Sequence, residues 1–162
     1  MTQNQADKLA VSPLPRWAEL PDLALYMDQV LALMARYLEN CPGADGKGLT
    51  ASMVNNYVKQ GVVPPPVKKR YGREHLATLV MLCLLKPILP IASIRTLLDA
   101  ELKEQSLETC YDAFCALYAQ AGLAAAEAQT GSALSPADRI LCAALRAQAE
   151  QALTLRLFSL LT

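Results

Sequence analysis

Residues 50–75 read TASMVNNYVKQGVVPPPVKKRYGREH, a short amide-rich helix pattern followed by a glycine, three prolines and a basic cluster. Thr50 is suited to cap the helix, and Gly61 is placed to end it with a left-handed residue. This order is typical of a recognition helix followed by a small wing. We expect the wing to be a minimal two-stranded ribbon of residues 62–63 and 67–71 around the prolines, because proline cannot donate backbone hydrogen bonds.

The basic residues of the chain are concentrated in this segment. It holds five of the 15 Lys and Arg residues and one of the 15 Asp and Glu residues, so its net charge is about +4 and that of the remainder is −4. A neutral protein that separates its charge in this way is suited to a polyanionic partner on one face.

The helix pattern separates an apolar face from a polar face. On a helix that starts near Ala51, the inward side chains are Met53, Val54, Tyr57 and Val58, and the outward ones are Ser52, Asn55, Asn56, Lys59 and Gln60. Asparagine amides can form two hydrogen bonds with an adenine edge, and lysine can reach guanine or a phosphate. The alternative is a solvated polar face with no ligand.

The basic cluster of the predicted wing is suited to phosphate contact, or to insertion of one arginine into the minor groove, and consists of Lys68, Lys69, Arg70 and Arg73. If about four phosphates are neutralised per subunit, the log-log salt slope of DNA binding is about −3.6. A charge run that only confers solubility is the alternative. Tyr71 packs under the wing or binds a phosphate, with packing favoured. His75 is expected at the surface or near a phosphate.

The rest of the chain indicates helices. Residues 1–12 are polar and are expected to be disordered, and Leu14, Trp17 and Leu20 suggest an extended surface arm. CPGADGKG, residues 41–48, indicates a flexible connection. Apolar periodicity and caps predict helices from Pro21 to about residue 38, over 50–60, from 73 to 86, from 91 to about 102, from 107 to about 121 with Gly122 after it, and from Ser135-Pro136 to about 161.

The fold class is therefore all-α with a minimal β wing, as a winged helix-turn-helix plus C-terminal helices. We divide the chain into an N-terminal arm at 1–20, a winged helix-turn-helix domain at 21–105 and a C-terminal helical region at 106–162. With 53% apolar and 19% charged residues, some apolar surface is expected to be covered by a second copy. The C-terminal region is assigned to dimerisation or to a small-molecule or protein effector.

Other features argue against several classes of protein. The five cysteines lack CxxC pairing and only one histidine is present, so we expect reduced thiols and no metal site. Core packing is preferred over redox sensing for Cys110 and Cys115. No motif for a nucleotide, a metalloprotease or a Ser-His-Asp triad is present, so we expect no catalytic residues, no cofactor and no enzyme activity. The N-terminus lacks signal-peptide features and the longest apolar stretch is too short for a bilayer, so a cytoplasmic, bacterial protein is expected.

Residues 50–98 resemble the DNA-binding half of MerR-type regulators. The matching order comprises Thr50, Tyr57, Gly61, Val62, Val63, Arg70, Tyr71, Leu76, Ile94, Arg95, Leu97 and Leu98. The chain departs from that pattern in its longer first helix and in CPGADGKG, which replaces a tight turn. Ser52 and Asn55 stand where arginines are frequent, and Asn56 stands where tyrosine is frequent, so the resemblance implies no base preference.

Residues 15–105 are also similar to a bacterial domain family of unknown function with a predicted MerR-like helix-turn-helix. Both resemblances imply a transcriptional regulator that acts as a homodimer on double-stranded DNA. Helix 50–60 would enter the major groove and residues 66–73 would bind the backbone. The alternatives are a protein-interaction adaptor that keeps the fold without DNA binding, and a small-ligand sensor built on the C-terminal helices.

Overall fold

The computed structural model describes residues 11–39, 48–129 and 134–161, and it is mostly helical. Six α-helices are α1 (Met27–Tyr37), α2 (Ala51–Lys59), α3 (Arg73–Leu85), α4 (Ile91–Glu104), α5 (Leu107–Glu127) and α6 (Pro136–Phe158), with a 3-10 turn at Trp17–Glu19 ahead of them. The predicted helical class is confirmed. No β-strand occurs in these three stretches, where the only β pairing is two isolated antiparallel bridges.

The chain divides into two compact units. The larger unit is formed by Val11–Ala119, and the described part of the smaller one is residues 120–129 and 134–161. The larger unit thus includes residues 11–20 and 106–119, which the sequence interpretation had placed outside the winged domain.

Helix α3 forms the centre of the larger unit. Eight consecutive side chains, from His75 to Leu82, are buried, so the helix is enclosed all round rather than on one face. It packs against α1 and α4, and α1 also packs against α2. The neighbouring helices contribute Val30, Met34, Val54, Tyr57, Ile94, Leu98 and Tyr111 to the same core. Each fully buried large apolar side chain contributes about 1.5–3 kcal/mol.

The segment before α1 belongs to this core. Leu14 and Leu20 are buried, and Trp17 contacts the Tyr111 ring edge-on at 6.4 Å between ring centroids. The Tyr111 hydroxyl donates a hydrogen bond to the Pro15 carbonyl at 2.8 Å. The expectation of an arm lying on the surface is therefore wrong, because these contacts hold the segment against α5. Disorder was expected for residues 1–12 and a flexible connection for residues 41–48; of these, residues 1–10 and 41–47 lie outside the described residues.

Three helix boundaries follow the signals read from the sequence. The Thr50 hydroxyl accepts a hydrogen bond from the Met53 backbone N–H at 3.2 Å, and Gly61 ends α2 with φ +70°. The Ser135 hydroxyl accepts one from the Asp138 backbone N–H at 3.2 Å, with proline at the first helical position. Side-chain caps of this kind satisfy N–H groups that have no partner inside the helix.

Two other boundaries differ from expectation. Helix α1 begins at Met27 rather than after Pro21, because the Leu25 backbone is paired with Tyr71 through bonds of 2.8 and 2.9 Å. Leu25 and Tyr26 therefore lie outside the helix, and Tyr26 has an extended backbone. Helix α5 continues through Gly122 instead of ending before it, since a glycine within a helix lowers its stability without breaking it.

The described part of the smaller unit comprises residues 120–129, which include the end of α5, and residues 134–161, which include α6. Arg146 Nη1 donates a hydrogen bond to the Ala128 carbonyl at 3.3 Å. None of the α6 side chains is buried, and its large exposed apolar residues are Ile140, Leu141, Leu145, Leu153, Leu155 and Leu157.

None of the helices in the described ranges combines the length and the apolar character needed to cross a membrane.

Candidate nucleic-acid interface

Helix α2 presents the predicted polar face to solvent. Val54 and Tyr57 are buried beneath it, and this burial fixes which side of the helix faces outward. The four predicted base-reading residues are exposed or at the rim of one open surface depression, namely Ser52, Asn55, Asn56 and Lys59. The helix therefore displays two adjacent carboxamides and one ammonium group on one side.

The basic cluster forms a tight two-residue turn. Val67 and Arg70 exchange both backbone hydrogen bonds, at 3.0 and 2.9 Å, around Lys68 and Lys69. Both lysines have positive φ, +50° and +63°, which is the feature of a type I′ hairpin turn. Residues with a Cβ rarely adopt this conformation, and each costs about 1 kcal/mol there.

The predicted two-stranded ribbon is wrong, because the described residues contain only isolated bridges here and no strand. The turn lies at Lys68 and Lys69, whereas the expectation placed it at the three prolines and paired residues 62–63 with 67–71. Val62 and Val63 are buried in the core, and Tyr71 pairs with Leu25 on its other side. Consecutive prolines cannot close a hairpin that needs positive φ, so the turn forms where donors are available.

Both turn lysines are exposed, and no hydrogen bond or ion pair of either ammonium group occurs within the described part of the chain. Lys59 on α2 is also exposed, and its ammonium group has no hydrogen bond or ion pair among the described residues. These three ammonium groups are available to an external anion.

Arg70 is held by the protein itself. Its guanidinium stacks on the Tyr26 ring at 3.9 Å from the centroid, and Nη1 donates to the Ala24 carbonyl at 3.2 Å. Nη2 lies 2.5 Å from the Tyr26 hydroxyl oxygen. Stacking of this kind is worth about 0.5–1 kcal/mol at an exposed site. Arg70 therefore joins the hairpin to the start of α1.

Arg73 also has partners within the larger unit. Nε donates to the Leu20 carbonyl at 3.1 Å, and the guanidinium lies 5.8 Å from the centre of the Trp17 ring. A distant ion pair of 3.9 Å connects Nη2 with Asp22. Arg73, which the sequence analysis had assigned to phosphate contact, thus anchors the N-terminal segment on α3.

Tyr71 and His75 are buried rather than exposed. Tyr71 is 4% exposed and packs edge-on against the His75 ring at 5.3 Å between centroids. Tyr71 therefore has the packing role that the sequence favoured. Because its side chain is buried, it is not among the exposed residues that could contact DNA. His75 was expected at the surface or near a phosphate, and that expectation is wrong.

The ring of His75 is needed at the start of α3. Nδ1 accepts a hydrogen bond from the Gly72 backbone N–H at 2.9 Å, and Nε2 lies 3.3 Å from the Pro65 carbonyl. Because Nδ1 is an acceptor, Nε2 carries the proton and donates. His75 therefore satisfies an N–H at the helix start and holds the proline segment.

Sequence reasoning missed Tyr26, which is half exposed and carries Arg70. The helix predicted from Pro21 to about residue 38 had placed residue 26 inside the helix. The Gln29 side chain accepts from the Tyr26 N–H at 2.9 Å, so residue 26 is the N-cap rather than a helical position. A Tyr-x-x-Gln spacing ahead of an apolar run is the signal that could have located this boundary.

The thiols of Cys83, Cys110 and Cys115 are poor nucleophiles, because the thiolate is disfavoured by burial. Burial raises the pKa of the Cys83 thiol to about 11, with nearby Lys86 opposing the shift. Desolvation by burial also raises the pKa of Cys110 and of Cys115, which lie in the core. Within the ranges described, Cys83, Cys110, Cys115 and Cys142 are free, and no group of three or more metal-ligating side chains occurs.

The chain matches the model of a protein family. The model of a domain of unknown function (DUF1836) matches residues 15–114, most of the larger compact unit. No curated protein and no solved structure matches the chain. The predicted resemblance to a family of unknown function is thereby confirmed. Since the match covers more than half of the chain, the protein belongs to the DUF1836 family.

Proposed function

We propose that the chain is a transcriptional regulator that binds double-stranded DNA and has no enzymatic activity. Helix α2 enters a major groove, and the Lys68-Lys69 turn, as a minimal wing, binds the adjacent phosphate backbone. The larger unit acts as a MerR-like winged helix-turn-helix, and two copies pair through residues 106–162, which sets the half-site spacing.

One observation carries the proposal, which is the pair of exposed lysines held in left-handed backbone conformation at the tip of the hairpin. Such strain persists where the surrounding structure enforces it, and it is concentrated at functional positions. A turn built for stability alone would carry Asn-Gly, so two lysines at this tip support selection for charge.

The second support is the polar face of α2 in the same compact unit. Ser52, Asn55 and Asn56 offer uncharged hydrogen-bonding groups, and Lys59 offers an ammonium group at the end of the row. Amides suit base edges and ammonium groups suit phosphates. Because Arg70 and Arg73 are engaged within the protein, the proposed backbone contacts are made by lysines 59, 68 and 69.

Selection of bound fragments from random double-stranded DNA tests the proposal. We expect Asn55→Ala to change the preference at one base position, and Lys68→Ala/Lys69→Ala to weaken binding to all fragments alike. Lys103→Ala, on α4, is the matched charge control, and it should change neither the base preference nor the strength of binding. Equal effects of the Asn55 and lysine variants on selected and random DNA would remove the claim of specificity.

A protein-interaction adaptor is the second candidate. It is favoured by the leucine-rich surface of α6, on which no side chain is buried, since apolar helix faces commonly bind a partner helix. Light scattering of the purified chain separates the two readings of this surface. If the unmodified chain is a dimer and the double variant Leu145→Glu/Leu153→Glu is a monomer, the surface pairs two copies. If the unmodified chain and the double variant are both monomers, the adaptor is favoured.

A further inference from the structure

We infer that Arg95, on α4, positions the recognition helix α2 by holding its C-terminal end. The inference rests on the proposed DNA-binding function and assigns a role to a residue outside the contact surface.

The contact of Arg95 with α2 is direct. Arg95 Nη1 donates a hydrogen bond to the Gln60 carbonyl at 3.0 Å, and Gln60 is the C-cap of α2. Carbonyls at the end of a helix have no partner inside it, and a cation is favourable there. From its own helix, Asp99 lies 3.6 Å from Arg95 Nε and steadies the guanidinium.

The glycine that ends α2 is shaped for this contact. Gly61 has φ +70°, and a Cβ at this position would lie 3.0 Å from Arg95 Nη1. A side chain there would be strained and would displace the guanidinium from the Gln60 carbonyl. Gly61 therefore serves both the helix end and the approach of Arg95.

A second tie holds the buried side of the same helix. Lys86, at the end of α3, donates to the Tyr57 hydroxyl at 3.1 Å. The two cations together attach the last turn of α2 to the helices behind it. Asn55, Asn56 and Lys59 lie within one to two turns of this attachment, so a tilt at Gln60 would displace the groups proposed to read bases.

This geometry separates the role of Arg95 from phosphate binding. Because its guanidinium contacts Gln60 and Asp99, we assign it to holding α2 rather than to the DNA backbone. Its removal should reduce discrimination between sequences and leave the salt dependence of binding unchanged.

Hydrogen exchange of peptides spanning residues 57–63 tests the tie without DNA. We expect Arg95→Ala to reduce protection about fivefold, the effect of losing one hydrogen bond. Arg95→Lys should restore part of the protection, because an ammonium group can still approach the helix end. Lys103→Ala removes a charge from the same helix and should change nothing. Unchanged protection in Arg95→Ala would overturn the inference.

DNA binding by the same variants supplies the functional test. In Arg95→Ala, the ratio of affinities for selected and random DNA should fall about fivefold at a constant salt slope. A slope reduced in magnitude by about 0.9 would instead identify Arg95 as a direct phosphate contact and overturn the positioning role. If the unmodified protein binds no DNA, the proposed function fails, and a loss of protection then marks a purely structural tie.

Discussion

Replacing the hairpin tip by Lys68→Asn/Lys69→Gly should stabilise the protein while weakening its binding to DNA. Both lysines have positive φ, and Asn-Gly is the sequence preferred for a type I′ turn. Relief of about 1 kcal/mol at each position gives about 2 kcal/mol. Glycine at position 69 offsets about 0.5–1 kcal/mol of this gain, because it gives the unfolded chain greater conformational freedom. The free energy of unfolding should therefore rise by about 1 kcal/mol, and Tm by about 3 °C.

The same change removes two of the three free ammonium groups of the proposed interface. Each phosphate contact contributes about 0.9 to the log-log salt slope, so the slope should decrease in magnitude by about 1.8 per subunit. Thermal unfolding by circular dichroism measures the first effect, and fluorescence anisotropy with labelled duplex DNA at several salt concentrations measures the second.

Lys68→Ala/Lys69→Ala is the control for this experiment. It removes the same two charges but leaves residues with a Cβ in the left-handed conformation, so binding should weaken equally without a gain in stability. An Asn-Gly variant that binds DNA with the slope of the unmodified protein would refute the assignment of the turn to phosphate binding. Lower stability in that variant would refute the account of strain.

Three further changes test individual side chains. His75→Ala should lower the free energy of unfolding, measured by urea denaturation, by about 3 kcal/mol, because it removes a buried ring and leaves the partly buried Gly72 N–H without its acceptor; a loss below about 0.5 kcal/mol would contradict this role. The pKa of the Cys83 thiol is raised from 9.0 to about 11, so the unfolded chain ionises first and stability should fall between those pH values. Cys83→Ala should show a smaller fall over the same pH range, and an identical profile would count against the shift. Arg70→Ala should leave the salt slope of DNA binding unchanged whereas Lys68→Ala lowers its magnitude by about 0.9, and the reverse order would contradict the intramolecular assignment of Arg70.

The helices were predictable because their boundaries depend on local chemistry. Thr50 and Ser135 cap helices through contacts three residues away, and Gly61 ends one through its own backbone conformation. Such interactions are visible in a short window of sequence. The start of α1 was not predictable in this way, because it depends on the pairing of Leu25 with Tyr71, two positions far apart in the chain.

The candidate site was predictable in its polar face and only partly in its charges. Exposure of Asn55 and Asn56 follows from the period of the helix around buried Val54. The fate of Arg70 and Arg73 does not follow from the sequence pattern, because their partners come from the segment before α1. A basic run gives the number of cations, whereas tertiary contacts determine how many remain free.

The hairpin tip was missed because its sequence carries no turn signature. Lys-Lys has no preference for positive φ, and the nearby prolines drew the predicted turn to the wrong place. The conformation is imposed by the bond pair between Val67 and Arg70 and by the attachment of residue 71 to Leu25. A departure from local preference of this kind is expected at a functional position.

The salt dependence of binding to double-stranded DNA tests the central claim most directly, since it counts the cations that meet phosphates. Three free ammonium groups per subunit, those of Lys59, Lys68 and Lys69, predict a log-log slope of about −2.7, lower in magnitude than the value of about −3.6 expected from the sequence alone. Absence of binding at low salt, or a slope near zero, would contradict the proposal that α2 and the Lys68-Lys69 turn bind DNA together.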